Sequence, residues 1–160
     1  MPDRQHEITL RFLAEPIDVN LYGNVHGGSV MKWIDQAGYA CAVGWSGQFC
    51  VTVYVGGIQF YQPIHIGHLV EVRARLMHTG RTSMHISVEV SAADPRDGIL
   101  KRTTGCVVVF VAIDSQTRPI PVPAWTPRTP EQIALQQHAI KLMEWRKGME
   151  GAGSKMENGG

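Results

Sequence analysis

The chain has 160 residues, 44% of them hydrophobic, and a formal net charge of +1. That is enough for one domain with a real core and too balanced to argue for a nucleic-acid partner. No apolar run is long enough to span a bilayer, and the first residues, Met1 to Glu7, lack the basic start and apolar stretch of a secretory leader.

Residues 7–13 read as a first strand. Pro16, Asn20, Gly23 and Asn24 break the chain across 14–26. A helix is predicted from Gly28 to Gly44 or Gly47, with Val30, Ile34, Ala37, Cys41 and Trp45 as its buried face and glycines at both ends. The period then changes to two. Residues 50–61 are rich in strand formers. In 69–77, Val70, Val72, Ala74 and Leu76 alternate with Glu71, Arg73 and Arg75. In 84–92, Met84, Ile86, Val88 and Val90 alternate with His85, Ser87, Glu89 and Ser91, so both strands read as antiparallel with one wet face. Residues 102–113 are almost wholly apolar and suit a central strand covered on both sides. Five prolines make 115–130 an extended tether. A second helix is expected to start at Pro130 with a Thr129–Gln132 capping box and to end near Gly148, leaving 151–160 as a disordered tail.

The fold class is therefore α+β: a strand, a long helix, then about four antiparallel strands. One helix covers one face of a sheet. The other face and an exposed edge need the C-terminal segment or a second subunit. Cys41, Cys50 and Cys106 are an odd set with no close pairing, which fits core thiols in a reducing cytoplasm.

Asp35 is the most informative residue. It is the only acid between Asp18 and Glu71, and Lys32 is the only lysine or arginine in that interval. Met31, Asp35, Gly38 and Ala42 fall on one helical stripe, where a buried carboxylate is costly unless paired or retained for function. His26-Gly27-Gly28 opens the same helix, whose first N–H groups are unpaired and carry the positive dipole end.

The run from Asn20 through Gly23-Asn24, His26-Gly27-Gly28, Met31 and Trp33 to Asp35 resembles the opening of the hotdog-fold acyl-CoA thioesterases. The resemblance continues through Val51-Thr52, Ile58 to Pro63, Gly67 and Gly80 to Met84, and covers residues 7–114. It implies a hotdog fold, in which an antiparallel sheet wraps one long helix, two subunits join their sheets side by side, and the active site lies at their interface. The expected organisation is a hotdog domain over 1–114, then the tether and helix over 115–150. The implied assembly is a homodimer or a trimer of dimers.

The resemblance places the catalytic acid at Asp35, as general base towards water or as nucleophile on the carbonyl. Asn20 is implied to work with it across the interface, although Asn in loops also bonds its own backbone. Gly28, with Gly27, is the expected oxyanion donor, and His26 a substrate contact. Arg81, Thr82 and Ser83 are expected to hold the phosphates and pantetheine of coenzyme A, itself part of the substrate and product. Asn24 reads as the turn residue. His65 and His68 have no third ligand nearby, so no metal is expected, and no other cofactor. Trp33, Tyr39, Phe60 and Tyr61 are candidates for an acyl tunnel or for core packing. The competing activities are an enoyl-CoA hydratase using His26 with Asp35, and an acyl-CoA binder without turnover.

Overall fold

The computed structural model describes residues 4–157, with side chains through Met149. Its elements are β1 (Glu7–Leu13), α1 (Gly27–Ser46), β2 (Phe49–Phe60), β3 (Leu69–Thr79), β4 (Ser83–Ala93), β5 (Lys101–Ile113) and α2 (Pro130–Glu157). The strands form one antiparallel sheet in the order β1-β3-β4-β5-β2.

The five apolar positions expected on α1 are all buried, and Trp33, Gly38 and Ala42 join them. Gly38 is required here: a Cβ at that position would lie 2.8 Å from the Phe110 ring of β5. Its absence lets the helix settle onto the middle of the sheet. Gly47 ends α1 in the left-handed region (φ 68°), and its N–H bonds the Val43 carbonyl at 2.8 Å. The sheet curls around α1, as the resemblance implied.

The opposite sheet face is not simply wet. α2 lies on it, packing Leu135, Ala139 and Leu142 against Met77 and Val107. Arg75, expected on the solvent side, is 9% exposed and pairs with Glu131 of α2 and with Glu89 at 3.5 Å. The capping box forms: Gln132 N–H bonds Thr129 Oγ1 at 3.2 Å, and Gln132 Oε1 accepts from Thr129 N–H at 3.3 Å. The helix passes the expected stop at Gly148 and runs to Glu157, so 151–157 is helical rather than a loose tail; the last three residues of the expected tail lie outside the described residues. A glycine costs a helix only about 1 kcal/mol, and no proline follows to break this one. The tether is extended but pinned. Ile120 N–H bonds the Ala112 carbonyl, Val122 N–H bonds the Arg81 carbonyl, and Trp45 Nε1 donates to the Pro123 carbonyl at 2.8 Å.

His85 is the other surface expectation that α2 overturns. It is 4% exposed, its Nδ1 has no partner, and its ring lies 5.8 Å from that of His78. Burial, then the charges of His78 and Arg146, push its pKa down to about 4. The folded state therefore disfavours the proton that the unfolded chain accepts near pH 6.5. Stability contributed by neutral His85 is complete above pH 6.5 and is lost as pH falls towards 4. Unfolding free energies from urea titrations between pH 7 and 4 are expected to fall in the wild type by about 2 kcal/mol more than in His85→Met. Equal slopes would remove His85 as the cause.

The two sheet edges differ. β1 exposes Glu7 and Arg11, which pair with Arg73 and Glu71 of β3, and such charge protects an edge. β2 is bare: Phe49, Val53 and Phe60 are each more than half exposed. A 12-residue strand whose outer edge has no partner among the described residues is a template for another strand.

Candidate active site

The start of α1 is open. His26 is its N-cap residue but offers no side-chain cap, and the first helical bond runs from Val30 N–H to the His26 carbonyl at 3.2 Å. The N–H groups of the first turn therefore point out of the helix end unpaired. Gly27 and Gly28 are exposed, and a Cβ on Gly28 would meet nothing within 4 Å. Neither positive φ nor internal crowding asks for glycine at position 28. What the missing side chain leaves room for lies outside the chain.

Two turns along, Asp35 is exposed, not buried as its stripe suggested. The stripe runs from surface to core: Met31 is 45% exposed, whereas Gly38 and Ala42 are buried. Both halves of α1 bury a face, with Val30, Trp33 and Ile34 in the first, but Met31 and Asp35 lie outside it. No described cation pairs with Asp35. Among the described residues its one hydrogen-bond partner is the Thr52 hydroxyl, which donates to Asp35 Oδ1 at 2.7 Å. Thr52 sits beside a bulge in β2, where the pairing with β5 slips between Thr52 and Tyr54. Such a bulge re-aims a side chain at a strand edge.

Asn20 holds the turn before α1. Its Oδ1 accepts the N–H groups of Tyr22 (2.9 Å) and Asn24 (3.2 Å). This is the role expected for Asn24, whose own Oδ1 is buried without a partner. The exchange still leaves the Asn20 amide nitrogen free of any acceptor among the described residues.

Arg81, Thr82 and Ser83 lie at the far end of the sheet. They form the β3–β4 turn, closed by Gly80 N–H to the Ser83 carbonyl at 2.9 Å, with Arg81 exposed. The α1 N-terminus is tied to the other end, because Val25 N–H bonds the Ile64 carbonyl just before β3 begins. β3 has 11 residues, which at about 3.4 Å each puts roughly 35 Å between the two clusters. One chain therefore brings Asp35 and Thr52 together and gathers Asn20, His26, Gly27 and Gly28 around one helix end. It leaves Arg81, Thr82 and Ser83 far from the helix start but level with the other pair: Ser83 lies opposite Val111 of β5, which lies opposite Val51, the neighbour of Thr52.

A profile described as "Thioesterase superfamily" matches residues 22–99. The acyl-CoA thioester hydrolase YciA of Salmonella typhimurium is 34% identical over 122 residues, covering 74% of this chain and 92% of that protein. The chain belongs to the acyl-CoA thioester hydrolase family. A hexameric acyl-CoA thioesterase of solved structure is 30% identical with TM-score 0.86, covering 91% of this chain and 93% of that one. The acyl-CoA hydrolase of Staphylococcus aureus shares the fold at TM-score 0.85 and 22% identity, covering 94% of this chain and 92% of that one; one of its structures holds butyryl coenzyme A and coenzyme A. Three others replace an aspartate, an asparagine and a threonine by alanine. The curled sheet on α1 is the hotdog fold, and the protein is a thioester hydrolase.

In this hydrolase the residue that sequence reasoning missed is Thr52. The signal was present but unread: Val51-Thr52 is one of the segments that carry the resemblance, yet nothing in the strand says that the α1 surface faces the hydroxyl. The cysteines offer no competing nucleophile. All three are buried and free, and burial pushes Cys41 up to about 12 and Cys106 up to about 11. His65 and His68 have rings 5.1 Å apart, and no group of three metal-ligating side chains occurs among the described residues. Beside the α1 N-terminus lies a cleft of about 300 Å³ with Val25, Gly27, Val30, Phe60, Ile64 and Thr104 in its walls. Of the four tunnel candidates, Phe60 and Tyr61 border it, Trp33 is core against Phe12, and Tyr39 packs edge-on to Phe110.

Proposed function

We propose that the chain hydrolyses acyl-CoA to a free acid and coenzyme A, at a site shared by two copies. The observation that carries this reading is an uncharged-partner geometry: a lone exposed carboxylate, Asp35, held by the Thr52 hydroxyl and by no cation. A carboxylate locked to arginine would be a structural ion pair. One oriented by a single hydroxyl keeps an oxygen for water or for the carbonyl.

The division of labour follows from distance. Gly28 and Asp35 of one α1 are seven residues apart, about 10 Å along the axis. One hydrogen bond plus one attack distance spans about 6 Å. Two copies related by a twofold axis and joined along β2 run their α1 helices antiparallel. The Asp35 of one then faces the helix start of the other, and the Arg81 turn of one approaches the same place. The bare apolar edge of β2 supports this pairing. The same joining supplies the water exclusion that Asp35 lacks in a single chain. α2 reaches this edge too, with Arg146 3.8 Å over the Tyr54 ring of β2.

In this reading the thioester oxygen takes the N–H of Gly28, with Gly27 beside it, and the helix dipole favours the negative charge that develops there. Asp35 either removes a proton from water as it adds to the carbonyl or attacks the carbonyl itself to form a mixed anhydride. Collapse of the adduct expels the thiolate of coenzyme A, which takes up a proton; in the second route water then cleaves the anhydride, releasing the acid and restoring the Asp35 carboxylate. The Asn20 amide N–H₂ orients water or carbonyl, and His26 borders the substrate. Arg81, Thr82 and Ser83 hold the phosphates and pantetheine. The Staphylococcus aureus variants support grouping Asn20, Asp35 and Thr52: their asparagine, aspartate and threonine follow one another at intervals of 15 and 17 residues, as these three do here. Hexameric relatives support a trimer of dimers built on the same pair. Residues 1–114 form the catalytic unit in this assignment, and free buried cysteines favour the cytoplasm.

The deciding assay follows thiol release from saturated acyl-CoA alongside hydration of enoyl-CoA. Thiol appearing in step with free acid is the expected outcome. Hydration without thiol release would overturn the reading. Thr52→Val is expected to lower kcat about ten- to a hundredfold, the cost of one hydrogen bond to a charged group. An unchanged kcat would remove Thr52 from the site.

A further inference from the structure

We propose that Tyr54 is a positioning residue for the hydrolysis: clamped by Arg146 of α2, it holds the β2 bulge that aims the Thr52 hydroxyl at Asp35. The inference rests on the hydrolase reading and gives α2 a part in that site.

The count along β2 carries the argument. Thr52 and Tyr54 are two residues apart, and in an unbroken strand their side chains would leave the same face. They leave opposite faces. Thr52 lies opposite Phe110 of β5, whose ring packs beneath Gly38 of α1, and its hydroxyl meets Asp35 on that side. Tyr54 lies opposite Val109, which in turn lies opposite His85 on the face that α2 covers. Val53 is the extra residue between them, the bulge itself.

Such a bulge stays in place only while both its flanks are held. A slip of one residue turns a side chain to the other face, and a glycine-rich strand specifies its register weakly. Gly56 and Gly57 follow directly, with a second slip in pairing between Gly56 and Gln59. Released, β2 can fall back to plain alternation, which would carry the Tyr54 ring onto the α1 face beside Thr52 and Asp35. Two contacts prevent this. The ring lies across Gly56, where an added Cβ would be 2.5 Å from it. From α2, the half-buried Arg146 sets its guanidinium carbon 3.8 Å from the ring centroid. No carboxylate among the described residues pairs with that guanidinium, so the ring is its partner by cation–π attraction. The clamp sits on the face of the sheet and not on its edge, so joining two copies along β2 leaves it in place.

The test is steady-state thiol release from a saturated acyl-CoA by Tyr54→Leu, Tyr54→Phe, Gly56→Ala and Arg146→Met. Each is made alone and together with Thr52→Val, and sedimentation reports the oligomeric mass. Tyr54→Leu should lower kcat at least about fivefold, but no further than Thr52→Val does, with KM within about twofold of wild type. Gly56→Ala, which must displace the ring, and Arg146→Met should lower kcat in the same way by less. Tyr54→Phe keeps the ring that both neighbours touch and should retain wild-type kcat. In the Thr52→Val background, Tyr54→Leu should cost less than about a further twofold, because the hydroxyl that it aims is already gone.

An unchanged kcat in Tyr54→Leu overturns the proposal. So does an equal loss in the wild-type and Thr52→Val backgrounds, which would mark general damage to the fold. Phenylalanine as poor as leucine, or a loss that follows dissociation of the subunits, overturns it as well. Any of these results leaves the hydrolase reading standing, because that reading falls only if thiol release itself is absent or independent of Asp35.

Discussion

Asp35→Asn and Asp35→Ala are expected to lose at least about a thousandfold in kcat for thiol release, with the folded state preserved. A positioned base contributes about 10² to 10⁴ in rate, and a nucleophile at least as much. Asparagine keeps the size of aspartate and can still accept the Thr52 hydrogen bond, but it neither takes a proton from water nor forms an anhydride. Alanine removes the hydrogen bond as well. The fold should tolerate both changes, because the carboxylate is exposed on α1 and its one hydrogen bond among the described residues is to a single hydroxyl. Thermal midpoints should move by a few degrees at most. Coenzyme A should still bind, since none of the groups assigned to its phosphates and pantetheine is altered. Thiol release within tenfold of wild type in both variants would end the assignment of Asp35. A collapse of the thermal midpoint would show instead that the carboxylate has a structural duty.

The elements were legible because each obeys a local rule. Val70, Val72, Ala74 and Leu76 alternate in β3 and are all buried. The 3.6-residue period of Val30, Ile34, Ala37, Cys41 and Trp45 gave the buried face of α1. Thr129 and Gln132 bond each other's backbone as their spacing requires. What the sequence concealed depends on contacts between distant segments. Arg75 and His85 alternate as surface residues of their strands, and only the return of α2 covers them. Asp35 shares a stripe with Gly38 and Ala42, but the packing of α1 against the sheet decides which part of the stripe is covered. Thr52 gains its meaning from Asp35, 17 residues earlier, across a bulge that no local pattern marks. Asn20 and Asn24 are equivalent as turn residues until the loop closes, and the loop chose the first. The site residues themselves were legible mainly through a family pattern, because the pattern condenses a geometry that involves a second chain.

Mixing two inactive variants is the sharper test of that geometry. Asn20→Ala and Asp35→Ala each disable both sites of their own homodimer. Suppose each site takes Asn20 from one copy and Asp35 from the other. A mixed dimer then contains one site with both residues intact and one with both missing. Refolding equal amounts together gives half mixed dimers by statistics, each with one working site of two, so activity should recover to about a quarter of wild type. A site drawn wholly from one chain predicts no recovery at all, since every site in every dimer would keep a lesion. The double variant Asn20→Ala/Asp35→Ala mixed with wild type sharpens the contrast. Shared sites leave its mixed dimers with both sites damaged, whereas single-chain sites leave one intact. The recovery in the first mixture and the loss in the second must occur together. Either one alone, in dimers verified as mixed, would contradict a carboxylate and an amide meeting across the β2 seam. The same experiment bears on why Gly28 is bare and β2 unprotected. Both features are idle in one chain, and both acquire a use when a second α1 lies antiparallel to the first.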